Sequence, residues 1–369
     1  MSEQPSGSGD PVWIEVGSAD ELGRTALAPV ALGQAKVALS CVGGEFGAIS
    51  NICNHVGGPL GQGRLDGDYV VCPWHQWKFH RRTGAGEPGY EADRVPSHGV
   101  KVEGGRLFVT EKPITKRGRL PHPPLPVARE PQREPGGIRV AGISTTAMDP
   151  RNPRYSTSDA LLASALEGAR TRHGAAVKLI KLNELRFHNC GGYYSKSAKA
   201  CTWPCSITQM DSKDRMVEVY ELVVHWADVL LVATPIRWGA ASALYYKMVE
   251  RMNCIQNQIT LHNKVLIRDK VAAFIITGGQ DNVQAVAGQM CGFFGELGFV
   301  LPSFPFIGHS LGWTEEDMER NVEFVRSHEG LHAGARELAG RAVDLAERLV
   351  AKSMSRAHIE RGGRKANNP

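Results

Sequence analysis

The stretches CNHVGGPL (residues 53–60) and VCPWHQWKFH (residues 71–80) decide the fold of the N-terminal part of this 369-residue chain. The first stretch has a cysteine and a histidine in C-x-H spacing, and the second has them in C-x-x-H spacing. Sixteen residues separate the two pairs. Eight cysteines in a chain that starts without a signal-peptide pattern indicate metal binding or redox chemistry rather than a disulfide framework.

Two loops that each supply one cysteine and one histidine meet the needs of a [2Fe-2S] centre, in which two thiolates bind one iron and two imidazoles bind the other. Zinc takes the same ligand set, but zinc fingers place their two cysteines together and their two histidines together. We therefore predict a [2Fe-2S] cluster and keep zinc as the alternative. The predicted ligands are Cys53, His55, Cys72 and His75.

Short β-like runs separated by glycine-rich turns surround these loops and predict a small all-β domain. Cys41 lies in one of these runs and is expected in the core rather than at a metal. The runs are VWIEV (12–16), KVALSCV (36–42), FGAISNI (46–52), DYVVC (68–72), GVKV (99–102) and RLFVT (106–110).

The two loops, their flanks and Thr83-Gly84 resemble the Rieske ferredoxin family over nearly all of residues 12–110. High-potential members add a cysteine to each loop, where this chain has Gly58 and Trp74. Their hydroxyl partners for the cluster are also missing after His75. The resemblance therefore implies a low-potential, ferredoxin-type member that relays electrons and does not oxidise quinols.

A proline-rich stretch then divides the chain. Residues 111–137 contain seven prolines and no hydrophobic periodicity, which predicts a semi-rigid linker. We expect a Rieske domain at 1–110, the linker at 111–137, a second domain at 138–352 and a basic flexible tail at 353–369.

The second domain alternates buried strands with helices, which predicts an α/β doubly wound parallel sheet. Strands are expected at 138–144, 177–182, 229–235 and 271–279. Helices are expected at about 158–172, 214–226, 242–260, 282–297 and 314–352.

Hydroxyl residues follow the first strand of this domain and start its first helix. Ser144 ends the strand, and Ser156, Thr157 and Ser158 begin the helix. Hydroxyls and backbone N–H groups at a helix N-terminus can cradle a phosphate, although serine and threonine are also ordinary helix caps.

Residues 233–252 and 277–299 resemble the NADPH-dependent FMN reductase and iron-sulfur flavoprotein family, a branch of the flavodoxin-like fold. The resemblance implies that the FMN phosphate lies at the hydroxyl residues and that two further loops flank the isoalloxazine ring. It also implies NAD(P)H as co-substrate and a homo-oligomer, dimer or tetramer, formed through this domain. The ring-flanking residues are Thr234, Pro235, Ile236, Arg237, Trp238, Gly239, Thr277, Gly278 and Gly279.

Two features depart from that family. Arg237 stands where an aromatic residue is usual; a cation there could stabilise negative charge on reduced flavin, bind a substrate or pair with a carboxylate. Cys190, Cys201 and Cys205 occupy the segment that carries a [4Fe-4S] motif in iron-sulfur flavoproteins, but their spacing differs. A second cluster, with Cys254 or Cys291 as fourth ligand, stays an alternative to redox-sensitive thiols.

Charge and hydropathy argue against a nucleic-acid-binding protein and against a membrane protein. Residues 1–110 hold nine Lys/Arg against twelve Asp/Glu, and residues 138–369 hold twenty-eight against twenty-three. This balance is too mild to predict nucleic-acid binding. No apolar run reaches membrane-spanning length, so we expect a cytoplasmic protein without a membrane partner.

The sequence thus predicts an NAD(P)H-dependent flavin oxidoreductase that passes electrons between FMN and a Rieske cluster. A non-catalytic electron carrier and a redox sensor are the alternatives. The nucleotide preference, the direction of electron flow and the electron acceptor or donor stay open.

Overall fold

This computed structural model of the protein describes residues 10–119, 124–278, 282–312 and 314–366, with side chains as far as residue 353. The chain forms two compact units, each with its own core. The first unit contains the described residues before Pro124 and also the segment Gly192–Ala200. The second unit contains the rest of the chain.

The first unit is built from three antiparallel sheets, with strand orders β1-β10-β9, β2-β3-β4-β8 and β5-β6-β7. This confirms the predicted all-β domain. A short helix, α1 (Ala19–Gly23), follows the first strand. The strands are β1 (Trp13–Ser18), β2 (Leu27–Leu32), β3 (Ala35–Val42), β4 (Glu45–Ser50), β5 (Arg64–Asp66), β6 (Tyr69–Val71), β7 (Lys78–His80), β8 (Ser97–His98), β9 (Val100–Glu103) and β10 (Arg106–Thr110).

Four of these strands escaped prediction for physical reasons. β2 contains Pro29, which lacks a backbone donor and is tolerated because β2 is an edge strand. β5, β7 and β8 have only two or three residues each, which is too short for an alternating pattern to show.

The second unit is a five-stranded parallel sheet of order β12-β11-β13-β14-β15, which confirms the predicted α/β fold. Its strands are β11 (Arg139–Ser144), β12 (Ala176–Lys181), β13 (Val229–Pro235), β14 (Val271–Gly278) and β15 (Phe306–Ser310). Its helices are α2 (Thr157–His173), α3 (Ser206–Met210), α4 (Met216–Tyr220), α5 (Ala243–Arg251), α6 (Asn253–His262), α7 (Val283–Leu297), α8 (Glu315–Ser327) and α9 (Glu329–Ala366).

Alternation along the central strand explains why both faces of this sheet are covered. Leu230 and Val232 of β13 belong to the core that includes residues of α4 to α7. Leu231 and Ala233 belong to the core that includes residues of α2 and α9. Because successive side chains of a strand point to opposite faces, an apolar run such as β13 needs helices on both sides.

The helix boundaries correct the sequence analysis in three places. The predicted helix 214–226 is α4 followed by a π-helical turn, Glu221–Trp226. The predicted helix 242–260 breaks after Arg251 into α5 and α6. The predicted helix 314–352 breaks at His328, whose backbone leaves the helical region, and α9 then continues to Ala366 through part of the predicted tail. In the described chain, no helix is both long and apolar enough to cross a membrane.

The predicted linker 111–137 has partners on both sides of the undescribed residues 120–123. Ile114 N–H donates to Ser97 O in the first unit. Val127 is buried in the second unit, where its carbonyl accepts a hydrogen bond from His225 Nε2 at 2.9 Å. Proline content alone does not show these contacts, because they depend on apolar and carbonyl groups of single residues.

Candidate functional site

The loops after β4 and β6 bring the four predicted cluster ligands together as two pairs. The Cys53 thiol donates to Cys72 Sγ. The Nδ1 atoms of His55 and His75 lie 2.8 Å apart. Within the described ranges, no three His, Cys, Asp or Glu side chains are arranged to hold a single metal ion. A sulfur pair beside a nitrogen pair suits two irons better than one zinc ion.

Both cysteines are almost fully buried, and of the two, Cys72 is the one whose thiolate is favoured. The backbone N–H groups of Trp74 and His75 help to lower the pKa of Cys72, and the N–H of His55 acts on the pKa of Cys53 in the same direction. The hydrogen bond from Cys53 lowers the pKa of Cys72 to about 7. The same bond, together with burial, raises the pKa of Cys53. N–H donors of this kind stabilise thiolates, the form in which cysteine binds iron.

His75 is held in one tautomer by its second ring nitrogen. Its Nε2 lies 2.6 Å from Ala200 O, and because a carbonyl only accepts, Nε2 carries the proton. Burial lowers the pKa of His75, so the ring is neutral. Its Nδ1 therefore presents a lone pair towards His55, as a metal-binding imidazole must.

The loops themselves are rigid. Cys53 N–H donates to Gly58 O, and Cys72 N–H donates to Trp77 O, so each loop closes on itself. The His55 ring stacks on Trp77, with centroids 4.9 Å apart. A Cβ at Gly58 would lie 2.7 Å from Cys72 Sγ. The extra cysteine of high-potential relatives therefore has no room here.

Sequence reasoning missed a clamp that holds the first loop. Asn54 Nδ2 donates to Asp93 Oδ1 at 2.7 Å and to Gly118 O at 2.8 Å. Arg117 donates to Asn54 Oδ1 and to Ile52 O. Residues 117 and 118 belong to the predicted linker, so that segment helps to order the cluster loop. The proline content of the linker predicts its stiffness but does not predict these polar contacts.

The predicted phosphate cradle is a cluster of hydroxyl groups at the N-terminus of the 17-residue helix α2. Ser156 caps this helix by accepting from Asp159 N–H. Thr146 Oγ1 lies 3.0 Å from Ser156 Oγ and 3.5 Å from Ser158 Oγ. Thr157 Oγ1 lies 2.7 Å from Thr277 Oγ1 and so joins the cradle to β14. These donors fit a phosphate group, since the helix dipole adds partial positive charge.

Ser144 occupies a different place in this cradle. It is fully buried, its hydroxyl donates to Asp159 Oδ1 at 2.6 Å, and its Oγ accepts from Thr146 N–H. Its side chain therefore shapes the loop, and Thr146, two residues further along, supplies the hydroxyl nearest the helix caps.

The loops after β13 and β14 lie at the same edge of the sheet. Ile236 N–H donates to Thr277 O, and Ser242 N–H donates to Thr234 Oγ1 at 3.1 Å. A Cβ at Gly278 would lie 2.8 Å from Ile236 Cβ, so glycine permits this close approach. Asn282, also missed, donates to Gly239 O at 2.6 Å. Gly279 lies outside the described residues.

Two side chains of the β13 loop extend outward. Trp238 is 93% exposed and has a positive φ of 53°, which a bulky residue adopts at a cost. Arg237 is also exposed, and its backbone forms a tight turn with Ala240. Pro235 is half-buried beneath them.

Only some of the cysteines proposed for a second cluster lie close together. All are free thiols. Burial raises the pKa of Cys201 and of Cys254, and the nearby Cys205 side chain raises both further. Cys291 lies on α7 and is not among them. The residues described offer no three-ligand metal site here, so the second-cluster prediction gains no geometric support.

A cavity of about 760 Å³ lies in the second unit, but at the other end of the sheet. Its lining includes Asp228 and Lys270, which immediately precede β13 and β14. Parallel α/β sheets bind ligands at the carboxyl ends of their strands. The cavity is therefore separate from the predicted flavin edge, and its wall contains the ion pair of partly exposed Arg133 with buried Asp228.

Comparison with known proteins finds two families in this chain. Residues 12–99 match the Rieske [2Fe-2S] domain family, and residues 142–309 match the NADPH-dependent FMN reductase family. The chain is 42% identical over 74 residues to the ferredoxin component of the p-cumate 2,3-dioxygenase system of Pseudomonas putida. It is 38% identical over 74 residues to the 3-phenylpropionate/cinnamic acid dioxygenase ferredoxin subunit of Escherichia coli K12.

Each of these two matches covers 20% of this chain. This chain spans 63% of the length of the Pseudomonas protein, which is under two thirds, and 70% of the length of the Escherichia protein. A crystal structure of RosB with a bound 8-demethyl-8-formylriboflavin-5'-phosphate intermediate aligns with 18% identity and a TM-score of 0.45. That alignment covers 61% of this chain and 88% of RosB.

Proposed function

We propose that this chain is an NAD(P)H-dependent oxidoreductase that relays electrons between FMN and a Rieske cluster. Its residues 12–99 belong to the Rieske [2Fe-2S] domain family. Its residues 142–309 match the NADPH-dependent FMN reductase family. The observation that carries the proposal is the presence of both redox domains on one chain. When bound, FMN supplies exchange between two-electron and one-electron steps, and the cluster stores single electrons.

We assign the cluster to Cys53, His55, Cys72 and His75. The buried cysteine pair and the facing Nδ1 atoms support this assignment. The Ala200 carbonyl keeps His75 in the tautomer that binds iron, and the loop N–H groups stabilise thiolate charge.

We assign the FMN phosphate to the hydroxyl cluster at the N-terminus of α2, formed by Ser156, Thr157 and Ser158 with Thr146. The loops Thr234–Gly239 and Thr277–Gly278 flank the ring in this assignment. Ser144 acts on the phosphate loop through Asp159. Arg237 and Trp238 are exposed at the same edge, where a co-substrate reaches the flavin.

Anaerobic titration of the purified protein with NADPH and then NADH, followed by absorbance and low-temperature EPR, tests the relay. We expect the flavin to bleach and a Rieske signal of low average g to appear. If dithionite reduces both centres but neither nucleotide reduces either one, the reductase proposal is wrong. The protein would then be an electron carrier supplied by a protein partner.

We also propose a reducing compartment such as the cytoplasm, because all eight cysteines are free thiols.

We further propose a homo-oligomer formed through the flavin domain. Phe304 and Trp238 are large apolar side chains that are 79% and 93% exposed. Light scattering after size-exclusion chromatography should give a mass of two or four chains. A monomer mass at micromolar concentration would contradict the oligomer.

A further inference from the structure

A nine-residue segment occupies an unexpected place in the first unit. Residues 192–200 lie in sequence between β12 and β13 of the flavin-binding sheet, yet they pack as part of the first unit. The segment consists of two short 3₁₀ turns, Tyr193–Ser195 and Ala198–Ala200.

Three contacts join this segment to the second cluster loop. Ala200 O accepts from His75 Nε2 at 2.6 Å. The Tyr193 ring meets the His75 ring edge to face, with centroids 4.9 Å apart. Lys196 Nζ donates to Pro73 O at 2.7 Å. A backbone acceptor, an aromatic ring and a cation thus all converge on residues 73–75.

These contacts leave the two histidines in different environments. His75 is 1% exposed, and Ala200, whose carbonyl accepts the hydrogen bond from His75, is 0% exposed. His55 is half-buried and stacks on Trp77. The side of the site at His75 is therefore closed, and the side at His55 is the more open.

We propose that residues 192–200 are a cap on the Rieske cluster, which fixes the iron-binding tautomer of His75 and closes that side to external redox partners. Small or protein oxidants then meet the cluster at its His55 side. Tyr193 and Lys196 are positioning residues in this arrangement, because they act through His75 and Pro73. The inference rests on the proposed cluster ligands and is independent of the NAD(P)H chemistry.

Two pairs of like residues supply variants with matched controls. Tyr193→Ala and Lys196→Ala remove cap contacts, whereas Tyr194→Ala and Lys199→Ala change exposed neighbours of the same type. Tyr193→Phe keeps the ring that meets His75 and separates the role of the ring from that of the hydroxyl. All variants are compared as full-length holoprotein. Labelling uses the oxidised form at alkaline pH, where Nε2 of His75 can lose its proton to the buffer and attack the reagent. Reoxidation and EPR use the form reduced by dithionite, so that a failure of NAD(P)H reduction does not affect the result.

Three measurements report on the cap. Carbethoxylation of His75 by diethylpyrocarbonate, followed by mass spectrometry, reports its exposure. Reoxidation of the cluster by ferricyanide reports access, and EPR g-values report the histidine environment. Loss of one hydrogen bond of ordinary strength should raise labelling and reoxidation about fivefold in Lys196→Ala. Tyr193→Ala should show a similar rise and shifted g-values.

If the cap variants match their controls in labelling, reoxidation and g-values, the cap proposal is overturned. If both cap variants lose the cluster while their circular dichroism and their controls are unchanged, the segment is needed to hold His75, which supports the cap. If the natural protein itself shows no Rieske signal after dithionite, the ligand assignment fails before the cap, and the two failures are distinguished.

Discussion

The proposed cluster site and the proposed flavin site of this chain are built in opposite ways. Four side chains within residues 53–75 are the proposed cluster ligands, and each belongs to one of two short loops. The proposed flavin site draws on three loops between residues 144 and 278, mainly through hydroxyl groups and backbone atoms that bond to one another. A metal centre depends on particular ligand atoms, whereas a phosphate cradle shares its contacts among many donors.

The largest expected effect is the loss of the cluster on substitution of a single ligand, which would sharpen this contrast. Cys72→Ser should abolish the Rieske EPR signal, because an alcohol does not replace the thiolate, while FMN content stays unchanged. Cys41→Ser is the control, since Cys41 lies on β3 outside the ligand loops. Iron, sulfide and flavin analyses measure both sites in one sample. A full Rieske signal in Cys72→Ser would contradict the assignment.

A large effect on stability is expected in the second unit alone. Arg251 and Asp214 form an ion pair whose side chains are 0% exposed, with Nη1 and Oδ2 2.9 Å apart. Asp214→Asn should lower the free energy of unfolding by about 3–5 kcal/mol, because the arginine charge stays buried without its counter-ion. Urea unfolding followed by circular dichroism measures it. Glu218→Gln, at the exposed pair with Arg215, should change stability little.

The same pair predicts a pH dependence. Burial by itself raises the pKa of Asp214, but Arg251 and the N–H of His188 outweigh it and hold that pKa below its usual value. A depressed pKa in the folded state stabilises the fold above the unfolded-state pKa, about 4, and this contribution is lost as pH falls through the folded-state value. The difference between natural protein and Asp214→Asn should therefore shrink below about pH 4. A constant difference from pH 7 to pH 3 would be inconsistent with this origin.

Intermediate effects on stability and cofactor content are expected when one glycine at each site is replaced by alanine. Gly58→Ala places a methyl group 2.7 Å from Cys72 Sγ, and Gly278→Ala places one 2.8 Å from Ile236 Cβ. Each should cost about 1–3 kcal/mol of stability through overpacking. Gly58→Ala should also lower iron content, and Gly278→Ala should weaken FMN binding measured by fluorescence. Gly288→Ala on α7, with open space around it, is the control; equal iron and FMN contents in all three variants would break the comparison.

The smallest expected effect is on FMN affinity when one hydroxyl of the phosphate cradle is removed. Ser156→Ala removes the α2 cap and should destabilise the second unit by about 1 kcal/mol. FMN affinity should fall less than tenfold, because neighbouring hydroxyls stay in place. Ser156→Thr keeps a capping oxygen and should restore both properties. Complete loss of FMN from Ser156→Ala would show that one hydroxyl dominates the cradle.

Local patterns were sufficient where a site or element is contiguous in sequence. The spacing of Cys53, His55, Cys72 and His75 predicted a ligand set because short loops limit how far apart those atoms can lie. The buried apolar runs of β11, β13 and β14 predicted a parallel sheet covered on both faces. The edge strand β15 was missed, since its FIGHS sequence has no such run.

The sequence by itself determined the two domain types, the cluster motif and the edge of the sheet where the flavin loops meet. Only the tertiary structure decided which groups surround them. Ala200 O reaches His75 across 125 positions of the chain, and Gly118 O reaches Asn54 across 64. Both acceptors are backbone carbonyls, which every residue carries, so no side-chain pattern could mark them. Their role comes from where folding places them.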